Sequence, residues 1–143
     1  MKDQRNNPRV SDRPRENSEA GLPDKNTINL IINGDSKTLV TVAEDLGKRF
    51  NSKKLTTSQI RNVFNSVKNM EMKGFNEKEL LLLKPKLAYA ASRPGATTGT
   101  RELRTVLSDA IDCVEGKEEN FVNFCDFFEA ILAYHRAAEK KLI

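Results

Sequence analysis

No stretch of this 143-residue chain approaches the roughly 18 consecutive apolar residues of a membrane-crossing helix, so no transmembrane span is expected. No apolar segment follows Met1-Lys2-Asp3-Gln4-Arg5, so no secretory signal is expected, and a cytoplasmic location follows. Cysteine is scarce. Cys113 and Cys125 stand twelve apart, which fits no zinc spacing, and two cysteines make no disulfide framework. Buried reduced thiols are the expectation. Histidine is scarcer still. His135 is the single one, it falls on an apolar stripe, and no Ser/His/Asp or Cys/His set can be built around it. A packed core histidine is the plainer reading. No glycine-rich phosphate loop follows a strand pattern, so a nucleotide cofactor is not expected. Aromatic residues are 6% of the chain and form no basic-aromatic motif, so base-specific RNA reading is not indicated either. These absences argue against an enzyme, and no cofactor or metal is expected.

What is present is charge, unevenly spread. The net charge is +4, yet residues 48–104 carry thirteen Lys/Arg against four Asp/Glu, while residues 105–143 carry four against eight. A basic middle and an acidic C-terminal part suggest a polyanion partner, head-to-tail contact between copies, or both. A solvated basic face is the bland alternative. Length and an apolar content of 38% allow one domain that buries about two thirds of its unfolded surface.

Residues 1–26 contain Pro8, Pro14, Pro23 and Gly21 among mixed charges, with few apolar side chains. Such a segment cannot offset its chain entropy, and a disordered arm is expected, followed by one domain over 27–143. Ile28, Leu30 and Ile32 alternate before Asn33-Gly34, which predicts an extended segment. Five helices are then expected. The first runs from Ser36 to Phe50, with Ser36 as a possible cap and Gly47 weakening its middle. The second starts at a capping box, Thr56-Thr57-Ser58-Gln59. The third runs from Asn76 to Arg93, with a kink or restart at Pro85 and a stop before Pro94. Gly95 to Gly99 reads as a flexible loop. The fourth runs from Thr100 to Val114, and the fifth from Glu118 to Lys140 with two apolar stripes. The fold class is therefore all-α, a compact bundle of about five helices. Glu79 to Gly95 is the longest apolar run, which predicts an organising core helix with a basic outer edge.

The candidate RNA-binding residues lie in the basic middle. Lys53, Lys54, Arg61 and Lys68 extend from a connector along the second helix; Lys84, Lys86 and Arg93 extend along the third. Thr57 and Ser58 add neutral donors at a helix start, suited to phosphate oxygens. Tyr89 either stacks on a base or fills the bundle edge. If the two helices are antiparallel neighbours, their basic edges merge into one surface that recognises backbone and duplex shape. Asp109, Asp112 and Glu115 share a face; they read as a solvated acidic edge, or a dock for a basic neighbour, rather than a cation site. A helical protein-interaction module with a basic docking face remains the alternative.

Three segments carry a resemblance: Leu55 to Asn62, Leu83 to Arg93, and Phe121 to Tyr134. Together they resemble the small subunit of the type III-A (Csm) CRISPR effector complex, over about residues 50–140. The resemblance implies a non-catalytic helical subunit in antiviral defence. Its copies line a filament beside the backbone and large subunits and support the guide RNA–target RNA duplex. On that basis Lys53, Lys54, Thr57, Ser58, Arg61 and Arg93 are the stronger RNA candidates, and Lys68, Lys84 and Lys86 the weaker.

Overall fold

A computed structural model describes residues 21–143. Among the described residues there are six helices and no strand: α1 (Lys25–Ile32), α2 (Ser36–Ser52), α3 (Thr57–Lys73), α4 (Glu77–Ser92), α5 (Thr98–Val114) and α6 (Glu118–Glu139). The fold is the expected all-α bundle, with one helix more. Most of the arm expected over residues 1–26 lies outside the described residues, and Lys25 and Asn26 already open α1.

The extra helix replaces the extended segment. Asp24 caps it, accepting the Thr27 amide at 2.8 Å. The chain buries Ile28, Ile31 and Ile32 completely and leaves Leu30 54% exposed. The spacing that matters is therefore i, i+3, i+4, and the alternation of 28, 30 and 32 was accidental. Gly34, at φ 114°, makes the turn signalled by Asn33-Gly34. Asp35 then caps α2 rather than Ser36, and the Thr38 amide holds its carboxyl below the usual range.

The capping box at α3 forms as read: the Gln59 amide donates to Thr56 Oγ1 at 3.2 Å, and the Thr56 amide donates to Gln59 Oε1 at 3.1 Å. Asn76 caps α4, and Arg93 ends it in extended geometry before Pro94. Pro85 sits within α4 as a single element, so no restart occurs there.

The organising helix is α6, not α4. It packs on α2 most extensively and also on α1, α3 and α5. Phe121, Phe124 and Phe128 from one stripe and Phe127 and Ile131 from the other are all buried within the chain itself. Phe121 stacks on Phe75 with centroids 5.0 Å apart, and Phe128 meets Phe64 edge-on at 5.4 Å. By contrast, α4 packs chiefly on α5 and lightly on α3. It leaves Leu81, Leu82 and Tyr89 exposed.

Buried polar groups tie the helices together. Asn123 donates to the Ile32 carbonyl at 2.9 Å, closing the end of α1. His135 is fully buried, and its Nε2 lies 2.6 Å from the Leu55 carbonyl. That oxygen only accepts, so Nε2 carries the proton. The histidine is a structural tie from α6 to the α2–α3 connector. Glu102, also fully buried, meets Arg49 through two bonds, 2.7 Å to Nε and 2.8 Å to Nη2.

Cys125 is buried, as expected, whereas Cys113 is only half-buried. Burial pushes Cys125 up to about 12, and burial followed by Asp109 raises Cys113. A thiolate is the reactive form. Neither thiol should therefore react appreciably with a disulfide reagent at neutral pH in the folded chain, and both should react on unfolding. Titration with and without denaturant checks this; rapid native labelling of Cys125 would contradict it.

Candidate nucleic-acid interface

The helices α2 to α6 alternate in direction, which brings segments far apart in the chain to a common end. The α2–α3 connector, the α4–α5 turn and the C-terminus of α6 meet at one end. Three contacts show it. The Gly99 amide donates to the Lys53 carbonyl at 3.0 Å, Thr57 Oγ1 donates to Glu139 at 2.7 Å, and His135 reaches Leu55. The opposite end holds Glu77 beside Gly116, with Glu115, Glu118 and Glu119 exposed nearby in the chain.

The connector is a rigid piece of backbone. Lys54 adopts the left-handed conformation, φ 73°, and its amide donates to Asn51 O at 3.1 Å. The next amide, of Leu55, donates to Phe50 O at 3.0 Å. This pair of bonds is a Schellman motif, and buried Leu55 and Phe50 supply its hydrophobic contact. Lys53 and Lys54 thus project from a fixed turn rather than from a loose linker. The following segment is fixed too. Thr97 caps α5 by accepting the Thr100 amide at 3.1 Å, so the helix begins at Thr98. Gly99 is buried, and a Cβ there would lie 2.8 Å from the Leu55 Cβ. The expected flexible loop over residues 95–99 is therefore shorter, and its last residue is a docking point.

The nine candidates divide. Lys53, Lys54, Thr57, Ser58 and Arg61 lie on the connector and the first turns of α3, whereas Arg93 lies at the end of α4 and lines a cleft with Leu55, Gln59 and Asn62. Lys54, Ser58, Arg61 and Arg93 are exposed, and none is engaged by another described side chain. Thr57 spends its hydroxyl proton on Glu139. Lys68 is paired with Glu71 at 3.1 Å, which raises its hold on its proton, and sits over the Phe64 ring. Lys84 is paired with Asp112. Lys86 is exposed on the outer face of α4. The α3 and α4 edges do not run together along their length, because α4 packs mainly on α5.

Asp109 and Asp112 are flanked within the chain, each 3.9 Å from Lys25, and Asp109 is buried. Among the described residues, no group of three or more His, Cys, Asp or Glu is placed to hold a metal ion. No helix among them is long and apolar enough to cross a membrane.

Sequence reasoning missed four cations at or near the basic end. Arg101 braces the α4–α5 turn, donating to the Ala96 carbonyl at 3.0 Å and to Thr98 Oγ1 at 3.3 Å. Arg104 lies exposed one turn on, in a groove of about 280 Å³ floored by Ala88 and Ala91. Lys140 and Lys141 follow the end of α6. The excess charge of residues 48–104 includes both arginines, but only the packing places them together along the groove between α4 and α5.

The model of the Csm2 Type III-A family matches residues 33–141. The chain belongs to the Csm2 Type III-A family. It is therefore a small subunit of the type III-A Csm complex of CRISPR systems. The Csm2 match covers α2 to α6 and every candidate residue, and it begins after α1. It extends the resemblance seen from residue 50 to the start of α2. Among curated proteins and solved structures, none matches this Csm2-family chain significantly.

Proposed function

We propose that this subunit uses the basic end of its bundle to hold the backbone of the guide RNA–target RNA duplex in the cytoplasmic Csm complex, without catalysing a step itself. The observation that carries this reading is that Lys54, Arg61 and Arg93 are exposed and unengaged by other described side chains at the end of the bundle where the α2–α3 connector meets the α4–α5 turn. Cations on fixed backbone suit phosphate contacts, which position a strand without reading its sequence. The one histidine is committed to the Leu55 carbonyl and is given no chemical role. The backbone and large subunits and neighbouring copies of the chain are its proposed protein partners. A second, compatible reading concerns the exposed Leu81, Leu82 and Tyr89 beside Lys86 on α4, a face suited to docking another subunit of the complex.

The test is Lys54→Asn with Arg61→Gln in the assembled complex. Asn tolerates the left-handed conformation at position 54, so charge is removed without new strain. RNA crosslinking to this subunit should fall about tenfold. The salt dependence of its RNA binding should flatten by about 0.7–0.9 in log–log slope per charge removed. Helicity should stay as in wild type. An unchanged slope and unchanged crosslinking in a folded double variant would show that the basic end is not the RNA surface. If an acidic protein instead competes for the wild-type face and RNA does not, the docking-module reading replaces this one.

A further inference from the structure

We propose that the cleft between α3, the end of α4 and the start of α5 seats one unstacked nucleobase of the bound RNA. This deepens the reading of the basic end as an RNA surface and rests on it. The cleft has a volume of about 320 Å³. That is near the lower limit of small-ligand pockets, about 300–1,000 Å³, so it suits a single planar group.

Its walls and its rim differ in chemistry. Leu55, Leu87, Ala90 and Leu103 line it with aliphatic surface, while Gln59, Asn62 and Arg93 bring polar groups to it. Apolar walls accept the face of a base, and amides serve its edge. The amides are unspent. The Gln59 carbonyl accepts the Thr56 amide, which leaves its NH₂ group available, and Asn62 is exposed and engaged by no other described side chain. Arg93 is likewise unengaged and stands where the sugar–phosphate of a seated nucleotide would pass. An aliphatic side chain from a protein partner would meet the walls alone and use neither amide, whereas a base uses both walls and rim.

The cleft is also preformed. Leu55 is held by the Schellman turn and by His135, and Gly99 closes against Lys53 and Leu55. Lys53 and Lys54 immediately precede Leu55, so cations that hold the backbone adjoin the seat for the base. Two amides can satisfy more than one base edge, so the seat does not demand a particular sequence.

The test uses the assembled complex with target and guide RNAs carrying one 4-thiouridine at successive positions. One recurring position should photocrosslink to the peptides bearing Asn62 or Ala90. Ala90→Leu fills the cleft with a good helix former, and Asn62→Ala alters the exposed rim alone. Each should cut that crosslink at least tenfold, with wild-type melting and an unchanged salt slope. A folded Ala90→Leu complex with the wild-type crosslink pattern overturns the proposal. So does loss of subunit assembly with RNA crosslinks intact, which would assign the cleft to a protein side chain. If no RNA crosslinks reach this subunit even in wild type, the RNA surface itself falls and the cleft with it.

Discussion

Arg49→Met should lower the stability of the bundle by about 3 kcal/mol or more, and adding Glu102→Leu should recover most of that loss. Glu102 is fully buried, while the Arg49 side chain is 24% exposed. Removing the arginine strands a carboxylate with no water and no counter-charge. Breaking a buried pair from one side typically costs about 3–5 kcal/mol. The partial exposure of Arg49 argues for the lower part of that range. Replacing both partners with apolar residues leaves no unpaired charge at position 49 or 102, and such swaps are often neutral or stabilising. Equilibrium denaturation of the two single variants and the double variant measures the coupling. Additive losses, with the double variant worse than Arg49→Met alone, would mean that the pair is not coupled as described. The pair joins α2 to α5, so its loss should loosen the packing beneath the connector.

Gly47→Ala provides a test of sign. Helix propensity alone favours alanine over glycine by about 1 kcal/mol in a helix interior. The packing says the opposite. A Cβ on Gly47 would lie 2.6 Å from the His135 amide nitrogen and 2.6 Å from the Tyr134 Cβ. The first is backbone and cannot turn aside, so α2 and α6 must separate where they cross. Overpacking of this kind costs about 1–3 kcal/mol, and sometimes more. We expect a net loss of at least about 1 kcal/mol and a lower melting temperature. A variant more stable than wild type would show that propensity wins and that α2 and α6 separate at their crossing at little cost. The same shift would displace His135 from Leu55, so RNA binding at the connector should weaken along with stability.

The two glycines at close approaches show why part of the fold was not legible in the chain. Gly47 and Gly99 read as a weak point in a helix and a loop residue, because local propensity is all that a sequence displays. Their role is to let another segment come near, α6 in one case and the Leu55 backbone in the other. Glu102 is similar. A charged residue in a helix reads as solvent-facing, and only a partner 53 positions away makes its burial tolerable. α1 was misread for another reason. A short segment whose apolar residues are Ile28, Leu30, Ile31 and Ile32 fits both a strand and a helix period, and the core selected Ile28, Ile31 and Ile32. Residues with strong local signals came out as expected. Thr56 with Gln59, Asn76, and Pro94 after Arg93 each act through neighbours a few positions away.

The candidate site follows the same division. By itself the sequence determined an all-helical chain with a basic middle, the positions of most helix starts and stops, and the blocks that tie it to the Csm2 family. These depend on periodicity, capping and composition, which are local. The tertiary structure alone decided which helix is central and which cations remain available. Lys68 and Lys84 are matched by carboxylates of the same chain, whereas Lys54, Arg61 and Arg93 are not. It also gathered Arg101 and the cleft at the same end, because alternating helices bring together segments that lie far apart along the chain.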